Sequence, residues 1–397
     1  MSKGTGSLRS PTDVAGYRDL DSFTVEAQGH SLTFLPSGAE RLDRLVELID
    51  GTQKSLELFY YMFQEDKAGE KVRAALVRAA ERGVQIHLIV DAFGTDAPDE
   101  FFQPIIDAGG KFNVFLPRWN VRYLIRNHQK FVIADHVKVL TGGFNVSEHY
   151  FAPPPANGWC DLGALIEGPV VNSFIKWFAE LKAWVDNPRH QFTAVRRMVR
   201  VWDGGDGPVQ LLLGGPTKVT SAWAQSVKKD LTHGTRLDLV MAYFSPPKAM
   251  RRLIANIARK GQTRLIMAGK SDNQSTIGAA RSLYSRLLGA GAEIYEFQPC
   301  KLHMKMLVID DITYFGSGNF DMRSIRLNLE LMVRVEDSGL ADKMRGLIDH
   351  MQESSEHITP QVHANKSTFA NRMRWKIGWF LVSVLDYTVT RRLNLGG

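Results

Sequence analysis

Two short stretches of the sequence carry groups able to attack a phosphorus ester. His128, Lys130 and Asp135 follow the pattern H-x-K-x-x-x-x-D, and so do His303, Lys305 and Asp310. Each stretch runs into a glycine turn closed by an asparagine, Gly142-Gly143-Phe144-Asn145 and Gly316-Ser317-Gly318-Asn319. A phosphodiester resists nucleophiles because its oxygens are negatively charged. Breaking it takes a nucleophile, cations to neutralise that charge, and an acid for the leaving alkoxide. Imidazole attacks when neutral and gives up a proton when charged, with an unperturbed pKa of about 6.5. Two histidines on opposite sides of one phosphorus can fill both roles. A lysine two residues on, in a strand, points to the same face as its histidine. Asn145 and Asn319 add neutral donors. These six groups supply the charge neutralisation that a divalent metal would, so neither a metal nor another cofactor is expected. Asp135 and Asp310 fall at hairpin turns, where an aspartate bonds nearby backbone amides. Both read as structural.

The elements around the two motifs repeat in the same order. In the first half, residues 55–63 read as a strand, 69–82 as a helix stopped by Gly83, 84–90 as a buried strand, 99–108 as a helix and 111–116 as a strand. A hairpin over 131–133 and 137–140 turns at Asp135-His136. In the second half, 236–244, 247–260, 263–268, 278–288 and 293–297 match these, with a hairpin over 306–309 and 313–315. Alternating strands and helices indicate α/β layers, and a shift of nearly half the chain indicates a duplicated domain rather than a solenoid. The expected division is a flexible N-terminus (1–20), a first lobe (21–190), a linker (191–208), a second lobe (209–358) and a basic amphipathic tail (359–397).

Composition narrows the class. With 397 residues, 44% of them hydrophobic and 23% charged, the chain is long enough for two globular units. A net charge of +7 favours an anionic partner such as a lipid surface, nucleic acid or a phosphorylated substrate. The two cysteines, Cys160 and Cys300, form no ligand cluster and read as free thiols in a reducing compartment. No apolar signal region opens the sequence, and no run reaches the roughly 20 apolar residues of a membrane span. A soluble or peripheral protein is expected.

With both motifs in place, the chain resembles the phospholipase D superfamily and, within it, bacterial cardiolipin synthases, over roughly residues 37–358. Arg126-Asn127, Gly158-Trp159-Cys160-Asp161, Glu167-Gly168-Pro169, Asp321-Met322-Arg323-Ser324 and Asn328-Leu329-Glu330 agree with that family. The resemblance implies two α/β lobes, each a mostly parallel or mixed sheet flanked by helices. They are related by a pseudo-two-fold axis, with one active site between them. It implies that His128 is the nucleophile, forming a phosphohistidine, and His303 the general acid and later base; the residues alone do not distinguish the two. It also implies that an acidic residue holds the far nitrogen of each imidazole. The matching positions are Asp161, expected to pair with His128, and Glu330, expected to pair with His303. Arg323 and Ser324 either touch a lipid phosphate or cap the next segment. His87, His149 and His233 have no partner pattern, although His149-Tyr150 lies close enough to a glycine turn to line the pocket. Many cardiolipin synthases begin with membrane-spanning helices, and this sequence shows none.

The implied activity is transfer of a phosphatidyl group between glycerophospholipids, for example two phosphatidylglycerol molecules giving cardiolipin and glycerol. A phospholipase or nuclease using water is the first alternative, and a catalytically dead lipid-binding scaffold the second. No nucleic-acid partner is expected, because no basic stripe interleaved with aromatics occurs. In the tail, Arg372, Arg374 and Lys376 precede an apolar run over 377–385 containing Trp379, Phe380 and Leu381, and Arg391 and Arg392 follow. This pattern over 372–392 suits a helix lying in a lipid headgroup layer; the alternative is a helix docked on the protein's own surface. A cytoplasmic protein at the membrane periphery is the expected location.

Overall fold

Apolar residues at helical spacing and continuous apolar strands become the two faces of one layer. Val72, Leu76, Ala79 and Ala80 are buried on α2 (Lys67–Glu81), whose N-terminus is capped by the Asp66 carboxylate accepting from the Gly69 amide. Gly83 ends the turn in a left-handed conformation, φ +89°. The computed structural model describes residues 16–116, 126–187, 192–217, 220–271 and 273–382.

The first lobe opens with β1 (Phe23–Ala27), β2 (His30–Leu35) and α1 (Gly38–Gly51), followed by β3 (Ser55–Tyr60) and then α2. Next come β4 (Gln85–Asp91), α3 (Asp99–Asp107) and β5 (Lys111–Phe115). The motif hairpin is β6 (Lys130–Ala134) and β7 (Lys138–Gly142), followed by β8 (Trp159–Cys160), β9 (Gly163–Glu167) and α4 (Val171–Val185). A further helix, α5 (Phe192–Val201), leads to the second lobe. That lobe runs β10 (Val209–Gly214), α6 (Ala222–His233), β11 (Arg236–Met241), β12 (Phe244–Ser245), α7 (Lys248–Lys260), β13 (Gln262–Ala268), α8 (Gln274–Leu288) and β14 (Glu293–Phe297). It continues as β15 (Lys301–Leu302), the hairpin β16 (Lys305–Ile309) and β17 (Ile312–Gly316), β18 (Phe320–Asp321), α9 (Met322–Arg326) and β19 (Glu330–Glu336). After α10 (Ser338–Glu353) and β20 (Ser355–His357), the described chain ends with α11 (Pro360–Lys366) and α12 (Phe369–Phe380).

The two sheets repeat one topology. Their orders are β1-β2-β9-β7-β6-β3-β4-β5 and β10-β19-β17-β16-β11-β13-β14-β20. From β2 to β5 and from β10 to β14, strand matches strand. In each lobe only the three strands joined by helices run parallel, β3-β4-β5 and β11-β13-β14, so the sheets are mixed. All five residues of β6 and of β16 are buried, because both faces of each sheet are covered. One apolar core lies between the lobes, joining Phe34, Phe131 and Trp177 to Met306, Phe315 and Met344. Each lobe has a second core under its outer helices.

The end of the segment expected to be a flexible N-terminus (1–20) packs on the body of the protein. Tyr17 is buried, edge-on to Phe297 of the second lobe at 4.9 Å, and its hydroxyl lies 3.7 Å from the Cys160 sulfur. The expected linker (191–208) is partly helical. It contains α5, which buries Val195 and Val199, and the following Trp202 packs on Trp177. Cys160 and Cys300 are free and buried. No helix among the described residues is long and apolar enough to cross a membrane.

Candidate active site

Both motif hairpins have the turn that the aspartates suggested. Asp135 and Asp310 adopt left-handed backbone, φ 51° and 48°. Their carboxylates reach beyond the turn. Asp135 accepts from the amides of Gln53, Lys54 and Ser55, and Asp310 from those of Thr235 and Arg236. Each therefore ties its hairpin to the entry of the neighbouring strand.

The histidines lie just outside the strands, not on them as the spacing suggested. The strands begin at the lysines, and the segment before each crosses to the other lobe. Asn127 bridges to Leu329, and the His128 amide donates to the Leu329 carbonyl at 2.8 Å. In the second copy, β15 pairs with β8 of the first lobe, and the His303 amide donates to the Cys160 carbonyl at 2.7 Å.

This exchange reverses the expected pairing of carboxylates. His128 Nδ1 lies 3.1 Å from Glu330 Oε2, and His303 Nδ1 lies 2.6 Å from Asp161 Oδ2. Each imidazole is held by the acid of the opposite lobe, because the backbone on which that acid lies pairs with the histidine's own segment. The two acids are supported differently. Glu330 also receives the Ser317 hydroxyl at 2.6 Å and the Asn328 amide at 3.3 Å. Asp161 turns its other oxygen to the Leu162 amide at 2.8 Å. A side chain at Gly143 would come within 2.3 Å of the Asp161 carboxylate, so that turn position has to be glycine.

The charged groups share one site. Lys130 and Lys305 are buried and each donates to the carbonyl of its own histidine. Lys305 lies 2.6 Å from His303 Nδ1. The charge of Lys305 also acts on His128, and that of Lys130 on His303. Burial lowers both imidazoles, His128 to about 3 and His303 to about 4; the lysines push the same way and the carboxylates push back. Burial opposes the charge on Asp161 and Glu330, but the neighbouring histidines and lysines outweigh it and hold both carboxyls below their usual range. The unliganded site thus has neutral imidazoles, anionic acids and buried lysines. Among the described residues, no group of three histidine, cysteine or acidic side chains could hold a metal ion.

Asn145 and Asn319 are both buried. Asn145 receives the Met62 amide at 3.2 Å and donates to the Tyr150 hydroxyl at 2.8 Å. The Asn319 side-chain oxygen is buried with no hydrogen-bond partner. Aromatic rings wall both imidazoles; Tyr150 was expected near the pocket, whereas the sequence reading passed over Tyr61 and the wall formed by Trp159. Tyr61 stands 4.9 Å from the His128 ring, and Tyr150 and Trp159 each stand 5.1 Å from the His303 ring. His149 is exposed and stacks on the outer side of Trp159, so Tyr150 is the member of that pair against the site. His87 is buried and bonded to Asn113, and His233 is exposed. Arg323 donates to Asn328 at 3.2 Å, linking it to Glu330, and Asp321 rather than Ser324 caps α9.

Arg41 was also missed. It is fully buried and its guanidinium donates to backbone carbonyls alone, among them Tyr150, Trp159 and Asp161. It clamps the segment that supplies both walls of His303 and its acid. An arginine in an amphipathic helix reads as a solvated one, so the sequence carries no signal for it.

Comparison with known proteins identifies the family. The family described as "Cardiolipin synthase, PLD-like domain" matches residues 45–182 and 228–352, one copy per lobe. The chain belongs to this family. The PLD-like domain of the cardiolipin synthase family accounts for both motif hairpins. The major cardiolipin synthase of Bacillus subtilis is 28% identical over 336 residues, 82% of this chain and 69% of that protein. Cardiolipin synthase A of Pseudomonas fluorescens is 27% identical over 355 residues, 87% of this chain and 72% of that protein. The fold matches the crystal structure of phosphatidylserine synthase from Haemophilus influenzae with a TM-score of 0.72 at 14% identity, over 93% of this chain and 96% of that one.

Proposed function

We propose that the protein is a cardiolipin synthase-like phosphatidyltransferase working through a phosphohistidine. The observation that carries this reading is the cross-lobe exchange of acids. With Nδ1 of each imidazole held by a carboxylate, Nε2 is the atom left for chemistry. His128 Nε2 attacks phosphorus, the bond from phosphorus to the glycerol oxygen breaks, and protonated His303 gives its proton to that oxygen. In the second step the hydroxyl of the acceptor lipid loses its proton to His303 and attacks phosphorus. The phosphorus–nitrogen bond breaks and His128 is restored. With phosphatidylglycerol as donor and acceptor, the products are cardiolipin and glycerol. One ester is exchanged for another, so no nucleotide is consumed.

The surroundings of the acids support this direction. Glu330 shares its charge among Ser317, Asn328 and His128, which makes it the weaker acceptor and favours a neutral, attacking His128. Asp161 holds His303 at 2.6 Å with one other donor, which suits an imidazole that must carry a proton. An arriving phosphate brings negative charge between the lysines and raises the proton affinity of both rings. Tyr150, Trp159 and Tyr61 limit water at the imidazoles, which favours an alcohol acceptor over hydrolysis. The same reading has the protein work at the cytoplasmic membrane surface, with its basic tail (372–392) in contact with anionic lipid.

Purified protein incubated with phosphatidylglycerol is expected to yield cardiolipin and glycerol by mass spectrometry, and His128→Ala to yield neither. Phosphatidic acid as the main product would replace the transferase reading with a hydrolase.

A further inference from the structure

The helix α12 turns the wrong face outward for a protein surface in water. It docks on α8 through Trp375, which is buried and stacks on His363, and through Gly378. A side chain at Gly378 would come within 2.8 Å of the Ser275 carbonyl, so the two helices cross closely there. At 100° per residue, the side opposite this contact carries Phe369, Met373, Ile377, Phe380 and Leu381. All five are exposed, Phe369 by 77% and the others by 41–51%. Arg372 and Lys376 border the stripe on one side and Arg374 on the other, all exposed, and no acidic residue occurs between Phe369 and Phe380. A helix merely resting on its own protein would expose its charges there and hide its apolar side chains.

The stripe also lies at a particular end of the molecule. Ser275 meets Gly378 and Gly278 meets Trp375, so α12 runs antiparallel to α8 and its C-terminal end reaches the start of α8. That start follows the C-terminal end of β13. On the same edge of the sheet, Met241 pairs with both Met267 of β13 and Lys305 of the catalytic motif. Ile377, Phe380 and Leu381 are thus carried to the edge of the second lobe on which the lysine and histidine sit.

We propose that the outward face of α12 is the surface on which the enzyme lies on an anionic lipid bilayer, and that it sets the catalytic edge toward the headgroups. The argument rests on the lipid substrate read above for the site. The apolar stripe enters the acyl boundary, and Arg372, Arg374 and Lys376 meet phosphate groups. Charge complementarity selects a lipid surface over a second copy of this chain, whose matching face is equally basic. Arg391 and Arg392 lie outside the described residues.

The test is co-sedimentation of the full chain with vesicles of phosphatidylglycerol and phosphatidylcholine, or of phosphatidylcholine alone. The double variant Ile377→Glu/Phe380→Glu changes only exposed side chains and is expected to lose on the order of tenfold or more in binding to the anionic vesicles. Arg372→Glu/Lys376→Glu is expected to lose a similar factor on anionic vesicles and little on neutral ones. Circular dichroism confirms that both variants are folded. His128→Ala is expected to bind as the unsubstituted chain does. If both double variants bind anionic vesicles normally, the docking surface is refuted, whatever the turnover. If they instead change the sedimentation velocity mass while vesicle binding holds, α12 is a protein interface and the proposal fails. Normal docking without lipid turnover would count against the catalytic reading and leave the surface standing.

Discussion

Asp161 of the first lobe accepts a hydrogen bond from His303 of the second at 2.6 Å, while Glu330 of the second lobe faces His128 of the first at 3.1 Å. Neither lobe holds a complete histidine–acid pair of its own. A single lobe, even if folded, would have imidazoles of undefined tautomer, so the active unit is the pair.

Replacing either acid with its amide tests this relationship. Asp161→Asn and Glu330→Gln keep the shape but remove the charge that fixes the ring. Each is expected to lower kcat by about 10²-fold or more with a smaller change in KM. Steady-state kinetics on phosphatidylglycerol reads this out. A change confined to KM would mean that the acids serve binding alone.

The two histidines are separable by leaving group. In His303→Ala the first step fails for want of a proton. A phosphatidyl ester of p-nitrophenol needs none, so release of p-nitrophenol in a burst is expected from His303→Ala and not from His128→Ala. A burst from the second variant and none from the first would exchange the two roles.

Arg41 anchors the wall and acid of His303 from beneath. Arg41→Met leaves buried carbonyls of Tyr150, Trp159 and Asp161 without donors, and is expected to cost about 2–4 kcal/mol of stability. A folded remnant should also show reduced kcat. Denaturant unfolding beside kinetics measures both.

The motif aspartates should behave in the opposite way. Asp135→Ala removes acceptors for three amides and puts a less suitable residue at positive φ, with an expected cost of about 1–2 kcal/mol. The protein that remains folded should keep a near-normal kcat. A large loss of kcat without loss of stability would assign Asp135 a role in the chemistry.

Acid should destabilise the protein through the same imidazoles. Burial holds both below the ordinary histidine value, His128 at about 3 and His303 at about 4. Between those values and about 6.5 the unfolded chain binds protons that the folded one does not, so stability falls as pH drops through that range. Above about pH 6.5 this contribution is fully present. Thermal melting is expected to decline from pH 7 to pH 5, and less steeply in His128→Gln/His303→Gln.

Much of this was legible in the sequence because it depends on local pattern. Apolar strands such as residues 84–90, helices stopped at Gly83 and Gly261, and hairpins turning at Asp135 and Asp310 follow from side-chain periodicity and backbone preference. The repeat of His128 with Lys130 and His303 with Lys305 marked the reacting groups and the duplication. The partners of those groups were decided elsewhere. The family resemblance led to the expectation that each histidine takes the matching acid downstream in its own half. The reverse holds, because β8 pairs with β15 and Asn127 with Leu329, exchanging segments between lobes. Arg41 and Tyr61 acquired their places from packing and backbone pairing across long stretches of chain. Hydrogen bonds and burial between distant segments depend on the path of the backbone in space, and spacing along the sequence carries no measure of that path.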